Sequence, residues 1–87
     1  MKEIDQTFTF NGNNFHLWAE VYVDSDYNFE AVQLHIFNED TKTDAVSFEA
    51  ESVHYPLALD RIIDDEALLE KVESVMLNEV DQGILAW

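Results

Sequence analysis

The sequence predicts an α+β fold: a four-stranded antiparallel β-meander followed by a C-terminal helical region packed on one face. Two observations support this prediction. Apolar residues alternate with period two over the first two thirds of the chain, which is typical of half-buried strands, and they recur at helical spacing after residue 64. The 87 residues suffice for one domain, with the sheet over 1–53, the helical region over 57–82 and a docked apolar tail over 83–87.

Three polar segments, residues 11–14, 24–28 and 38–44, divide the first region into four strands, because Asn, Asp and Gly favour turns. Turns centred in these segments predict six cross-strand pairs: Phe10 with Phe15, Phe8 with Leu17, Val21 with Val32, Ala19 with Leu34, Leu34 with Ala50, and Ile36 with Phe48. All six pairs put apolar residues on the same face. A slip of one residue at any turn would break this agreement, so the register is informative.

Pro56 marks the end of the sheet region, because the residue that precedes a proline is disfavoured in helical angles. We expect a short helix over residues 57–63 with the proline at its start. Residues 64–66 are all acidic and predict an N-cap and first turn of a second helix. Its apolar positions follow helical spacing: Leu68, Leu69, Val72, Val75, Met76 and Val80.

The composition excludes several classes of protein. Nineteen Asp and Glu residues against four Lys and Arg give a formal net charge of −15. A direct nucleic-acid ligand would require a basic surface, and anionic membranes would repel this chain. The chain shows neither an apolar leader nor a stretch of roughly 20 apolar residues that would span a bilayer. We therefore expect a cytoplasmic protein with no membrane or nucleic-acid partner.

We expect no enzyme and no cofactor. The absence of Cys excludes disulfides, a thiol nucleophile and thiolate zinc sites. The two glycines are far apart, so there is no Gly-rich phosphate loop. Ser47 and Ser52 come without the base and oxyanion donors that a serine nucleophile requires.

The segment with Asp24, Asp26 and Asn28 copies the first three ligand positions of a calcium-binding EF-hand loop. Phe29 stands where that loop needs Gly, and His35 stands where it needs a bidentate Glu. Asp and Asn are also common turn residues, so we interpret the segment as a turn. Weak cation binding at this turn is the alternative.

The three histidines raise the question of a zinc site, which would need three or four converging ligands. In the predicted register His16 and His35 share a sheet face, and His35 lies opposite both Trp18 and Glu49. His54 follows the fourth strand. We expect a cross-strand hydrogen bond between His35 and Glu49 and no metal ligands among these residues.

Two sets of residues are candidates for binding a partner protein. The first is an aromatic set on the sheet face that the helix should leave uncovered, where Trp and Tyr are common hot spots: His16, Trp18, Tyr22 and Phe37. The second is an acidic set on turns, on the fourth strand and along the helix: Asp24, Asp26, Glu30, Glu49, Glu51, Asp64, Asp65, Glu66, Glu70 and Glu73. Carboxylates one helical step apart, about 6 Å, have the spacing of alternate phosphates in DNA.

In length, charge and α+β pattern the whole chain resembles the small acidic proteins, often from phages and mobile elements, that mimic DNA. These include inhibitors of restriction and CRISPR nucleases and decoys for histone-like proteins. The resemblance is one of type, and no motif allows functional residues to be carried over. It implies a non-enzymatic inhibitor that binds a basic or DNA-binding protein stoichiometrically.

Two alternatives fit the same composition. Acidic, Lys-poor surfaces also give solubility in salt-adapted organisms, without any specific partner. The second alternative is a small accessory protein or homodimeric domain that interacts through its aromatic sheet face. Symmetric dimers are the commonest assembly.

Overall fold

The computed structural model describes the backbone of residues 1–81 and the side chains of residues 1–79. It confirms the predicted α+β fold, with four antiparallel strands in sequence order and a C-terminal helix. The predicted docked tail over 83–87 lies outside the described residues. The elements are β1 Lys2–Phe10, β2 Asn13–Val23, β3 Phe29–Asn38, β4 Thr43–Glu49, β5 Leu57–Ala58, a 3-10 helix Leu59–Arg61 and α1 Glu66–Asp81.

The first hairpin is tighter than the sequence predicts. Asn11 and Gly12 both have positive φ, 51° and 79°, so they alone form a two-residue turn that pairs Phe10 with Asn13. Phe8 therefore faces Phe15, and their rings stack with centroids 5.4 Å apart. The predicted pairs of Phe10 with Phe15 and of Phe8 with Leu17 are wrong by two residues, a shift that keeps every side chain on its predicted face.

The second hairpin contains a β-bulge. Ala19 faces Leu34 as predicted, but Val21 faces Ala31 and not Val32, because Val32 is an extra residue on β3. Both Ala31 and Val32 are consequently buried, although they are neighbours in sequence.

The third hairpin is also shifted by two residues, and a second bulge makes Ala45 the extra residue on β4. Leu34 faces Phe48, and Ile36 faces Val46. The predicted pairs of Leu34 with Ala50 and of Ile36 with Phe48 are therefore wrong. The reason is a short turn over residues 39–42, in which Lys42 has a φ of 61° and which pairs Asn38 with Thr43.

The predicted short helix over 57–63 is wrong. β4 ends opposite Gln33, and the amide of Ala50 still donates to the carbonyl of Val32. β5 pairs with the next residues of β3, Glu30 and Ala31, whose backbone groups β4 does not reach. Only Leu59–Arg61 then form a 3-10 turn, in which the amides of Ile62 and Ile63 donate to the carbonyl of Leu59.

The core lies between the sheet and α1. Leu68, Val72 and Met76 are buried on the helix and pack against strand residues such as Ile4 and Leu17. Leu69 and Val75 are partly buried at the border of the core, as expected for the flanks of an apolar helix face. The side chain of Val80 lies outside the described residues.

The N-terminus of α1 is capped as the acidic segment predicts. Asp65 Oδ1 accepts hydrogen bonds from the amides of Ala67 and Leu68, at 3.0 and 3.2 Å. Asp65→Ala should lower the free energy of unfolding in urea by about 0.5–2 kcal/mol, because two helix amides lose their acceptor. Asp64→Ala removes the same charge one residue earlier and should change stability much less. Equal losses would contradict the cap.

Candidate functional site

One side of the sheet faces away from α1, and we call it the open face. Strand alternation and the observed register place these residues on it: Glu3, Asp5 and Thr7 of β1; His16, Trp18, Glu20 and Tyr22 of β2; Glu30, Gln33, His35 and Phe37 of β3; and Asp44, Ser47 and Glu49 of β4. None of these positions holds a Lys or Arg. Among these positions, only His16 and His35 have side chains that can carry a positive charge.

All four residues of the predicted aromatic set lie on the open face. His16 faces Phe37 across β2 and β3, and Trp18 faces His35 in the neighbouring row. These side chains are half-buried, so parts of their rings are accessible. Tyr22 lies at the far end of β2, where its hydroxyl donates to the carbonyl of Val53 at 3.5 Å. Their role in binding stays a prediction.

The predicted acidic set is divided between different surfaces. Only Glu30 and Glu49 lie on the open face. The others are exposed at the β2–β3 turn, after β4, before α1 or along α1 on the opposite side of the sheet: Asp24, Asp26, Glu51, Asp64, Asp65, Glu66, Glu70 and Glu73. The ten residues therefore do not form one continuous acidic surface.

The open face has four further carboxylates that the predicted set omitted: Glu3, Asp5, Glu20 and Asp44. Glu3 lies directly opposite Glu20, and the same row of the sheet continues through Gln33 to Glu49. Like charges directly opposite each other on neighbouring strands are destabilising. The period-two alternation of β1 could have identified Glu3 and Asp5, because they share parity with the exposed Thr7.

In the described part of the chain, three of the four Lys and Arg side chains do not neutralise any of the carboxylates. Within residues 1–81, Lys42, Arg61 and Lys71 form no ion pair with a carboxylate. The negative potential of the surface is therefore available to an external cation.

A second acidic grouping lies beside the β2–β3 turn. Asp24, Asp60 and Glu73 line a groove of about 560 Å³ between this turn, the 3-10 helix and α1. Glu30, at the start of β3, belongs to the open face and also contributes to the lining of this groove. The groove differs from the open face in having no Trp, Tyr or His in its lining.

The carboxylate of Asp24 is used by the turn itself. Its Oδ1 accepts from the amides of Asp26 and Asn28 at 2.9 and 3.0 Å, and its Oδ2 accepts from the Asn28 side chain at 3.2 Å. Hydrogen bonds from the backbone and side chain of Asn28 lower the pKa of Asp24. Among the described residues, no group of three or more His, Asp and Glu side chains is arranged to hold a metal ion.

The lowered pKa of Asp24 predicts a pH dependence. Because the pKa of Asp24 is lower in the folded state, its ionised carboxylate stabilises the folded protein at pH values above the unfolded pKa of about 4. This contribution is lost as the pH falls through the folded pKa. Asp24→Asn should therefore cost more stability at about pH 6 than at about pH 3, measured by urea unfolding. Asp26→Asn is the control in the same turn, because the carboxylate of Asp26 accepts none of these hydrogen bonds. A pH-independent cost for Asp24→Asn would contradict the assignment.

Trp18 lies opposite His35 as predicted, but the side chains that hydrogen-bond His16 and His35 were not predicted. His16 Nε2 donates to Asp5 Oδ1 at 2.5 Å, and His16 Nδ1 lies 3.8 Å from Glu39 Oε1. The predicted hydrogen bond between His35 and Glu49 is wrong, because the shifted register puts Ser47 opposite His35.

The contact that replaces it joins His35 Nδ1 and Ser47 Oγ at 3.3 Å. This distance is long for a hydrogen bond that involves a hydroxyl. Within the described residues no carboxylate hydrogen-bonds His35 to orient it as a catalytic base. His54 lies apart in the exposed loop after β4, where its amide donates to Ser52 Oγ.

No helix in the described part of the chain is both long and apolar enough to cross a membrane. No protein-family model, curated protein or solved structure matches this chain. We therefore infer function from the chemistry of the open face.

Proposed function

We propose that this protein is a non-enzymatic acidic interaction protein that binds the basic surface of a DNA-binding protein and blocks it, as a DNA mimic does. One observation carries the proposal: the open face combines six carboxylates with half-buried aromatic side chains and has no Lys or Arg. Carboxylates attract a cationic surface and speed its association, while aromatic side chains supply contact energy.

The pair of Glu3 and Glu20 supports a cationic partner. Two directly opposed carboxylates lower the stability of the isolated sheet, and a positive group placed over them would relieve their repulsion. Binding of such a partner to the folded state would therefore also stabilise the protein.

The density of charge in this row is compatible with imitation of DNA. Glu3, Glu20 and Glu49 lie on β1, β2 and β4, so they span three inter-strand steps, or about 14 Å. One DNA strand carries about four phosphates over that length. A basic groove that binds DNA would thus meet a comparable number of negative charges.

The charge of the open face disfavours the homodimer alternative. A two-fold symmetric dimer through this face would bring the carboxylate rows of both copies into one interface. Such like charges repel unless each has a cationic neighbour, and the face has no Lys or Arg to provide one. The same face is suited to a positively charged partner.

The proposal is tested by capturing partners from a lysate of the native host on the immobilised protein at about 50 mM salt, followed by elution with duplex DNA. We expect one or more DNA-binding proteins that duplex DNA releases and that bind less well as salt increases. Recovery of no basic protein, or of proteins that the duplex does not release, would overturn the proposal.

A further inference from the structure

The open face contains a shallow cavity of about 330 Å³ between two neighbouring rows of the sheet. Five residues line it: Asp5, His16, Trp18, His35 and Phe37. The first row places Asp5 opposite Trp18 and Trp18 opposite His35, and the second places His16 opposite Phe37. The cavity thus has four aromatic rings and one carboxylate in its lining.

The rings suit the cavity to a positively charged group. Trp18 and His35 have ring centroids 5.6 Å apart and planes inclined by 32°, so they form a continuous aromatic wall. The faces of Trp and Phe rings attract cations, and a planar guanidinium group also stacks on them. Both rings are only half-buried, which leaves room for such contacts.

The carboxylate of Asp5 is held in place beside these rings. His16 binds Asp5 Oδ1, yet the Asp5 side chain is 62% exposed, so its second oxygen can accept a hydrogen bond. The carboxylate of Glu39 lies on the other side of the His16 ring, 3.8 Å from Nδ1. An apolar group in this cavity would remove the second oxygen of Asp5 from water without giving it a hydrogen-bond donor, at a cost that a cation avoids.

We propose that this cavity receives the cationic end of an arginine or lysine side chain from the partner protein. The identity of the partner rests on the proposed function, but the preference of the cavity for a cation rests on its own lining. The planar guanidinium group can stack on a ring while it donates to Asp5, so arginine should bind better than lysine.

The test uses N-acetyl-arginine N-methylamide as the probe, titrated into the ¹⁵N-labelled protein and followed by NMR. We expect saturable shifts at the Trp18 indole and at the β1 and β2 amides around the cavity. The matching citrulline derivative has nearly the same shape but no charge, so it should produce at most small shifts. Equal shifts with both compounds, or shifts spread over the whole acidic surface, would overturn the inference.

Two variants test the roles of the lining residues. Asp5→Asn and Trp18→Leu should each weaken binding of the arginine derivative about five-fold. Asp60→Asn removes one carboxylate on the other side of the sheet and should leave the affinity unchanged. If Asp5→Asn and Asp60→Asn weaken binding equally, the probe senses only net charge and the assignment fails.

The outcome is separable from that of the proposed function. Binding of the arginine derivative without capture of any DNA-binding protein would support the cavity and contradict the proposed partner. Capture of a DNA-binding protein whose affinity is the same for wild type and Trp18→Leu would support the partner and overturn the role of the cavity. Urea unfolding of each variant checks that it is folded.

Discussion

Leu34→Ala is expected to lower the free energy of unfolding by about 2–5 kcal/mol. Leu34 is fully buried on β3, where it faces Ala19 on one side and Phe48 on the other. Neighbouring strands on both sides restrict relaxation, so the cavity left by the side chain would remain largely open. Small domains are stable by only about 5–15 kcal/mol, so this loss would be a large part of the total.

Urea denaturation measures the effect, with a lower midpoint and an unchanged slope as the expected result. Gln33 is the neighbouring residue and is half-buried on the open face. Gln33→Ala should lower the free energy of unfolding by about 0.5 kcal/mol or less. Similar losses of stability in the two variants would contradict the assignment of Leu34 to the buried core and of Gln33 to the open face.

Removal of the three carboxylates that lie in one row of the sheet, Glu3, Glu20 and Glu49, is expected to have the largest effect on binding. The triple variant Glu3→Gln, Glu20→Gln and Glu49→Gln should bind the basic partner about tenfold more weakly, since each exposed ion pair contributes about 0.2–1 kcal/mol. Most of the change should appear in the association rate, because exposed charges act mainly through steering. The same variant should be slightly more stable than wild type, because the repulsion between Glu3 and Glu20 is gone.

A matched control is available on α1. The control is the triple variant Glu66→Gln, Glu70→Gln and Glu73→Gln, which removes an equal number of charges from the opposite side of the sheet. Its affinity for the basic partner should fall much less. Surface plasmon resonance with the captured partner compares the two triple variants. A loss that is equal in both, or greater in the helix variant, would place the binding surface away from the open face.

The face of most strand residues was predictable, although most cross-strand partners were not. Beyond the two bulges alternation gives the wrong face, as at Ala31 and Asp44. Alternation assigns Leu17 and Leu34 to the core and Trp18 to the opposite face, whatever the length of the turns. The errors in the first and third hairpins were shifts of two residues, which change partners but preserve faces. Helix α1 was predictable for a similar reason, since its apolar spacing and its Asp65 cap are local features.

The details that position the site depend on contacts that the sequence does not encode locally. The bulges at Val32 and Ala45 result from how the strands fit together. The turn that pairs Asn38 with Thr43 and the bulge at Ala45 together determine that Ser47 and not Glu49 faces His35. The pairing of β5 depends on where β4 ends. The cavity beside Trp18 depends on three strands in register, so the sequence alone predicted its aromatic residues but not their arrangement around Asp5.

The central claim is that the protein occupies a DNA-binding surface of its partner. The most direct measurement is fluorescence anisotropy of a labelled DNA duplex bound to the captured partner, titrated with the unlabelled protein. We predict complete release of the duplex at a fixed stoichiometry, because the protein and the duplex compete for one basic surface. A duplex that stays bound while the protein also binds the partner would contradict the claim.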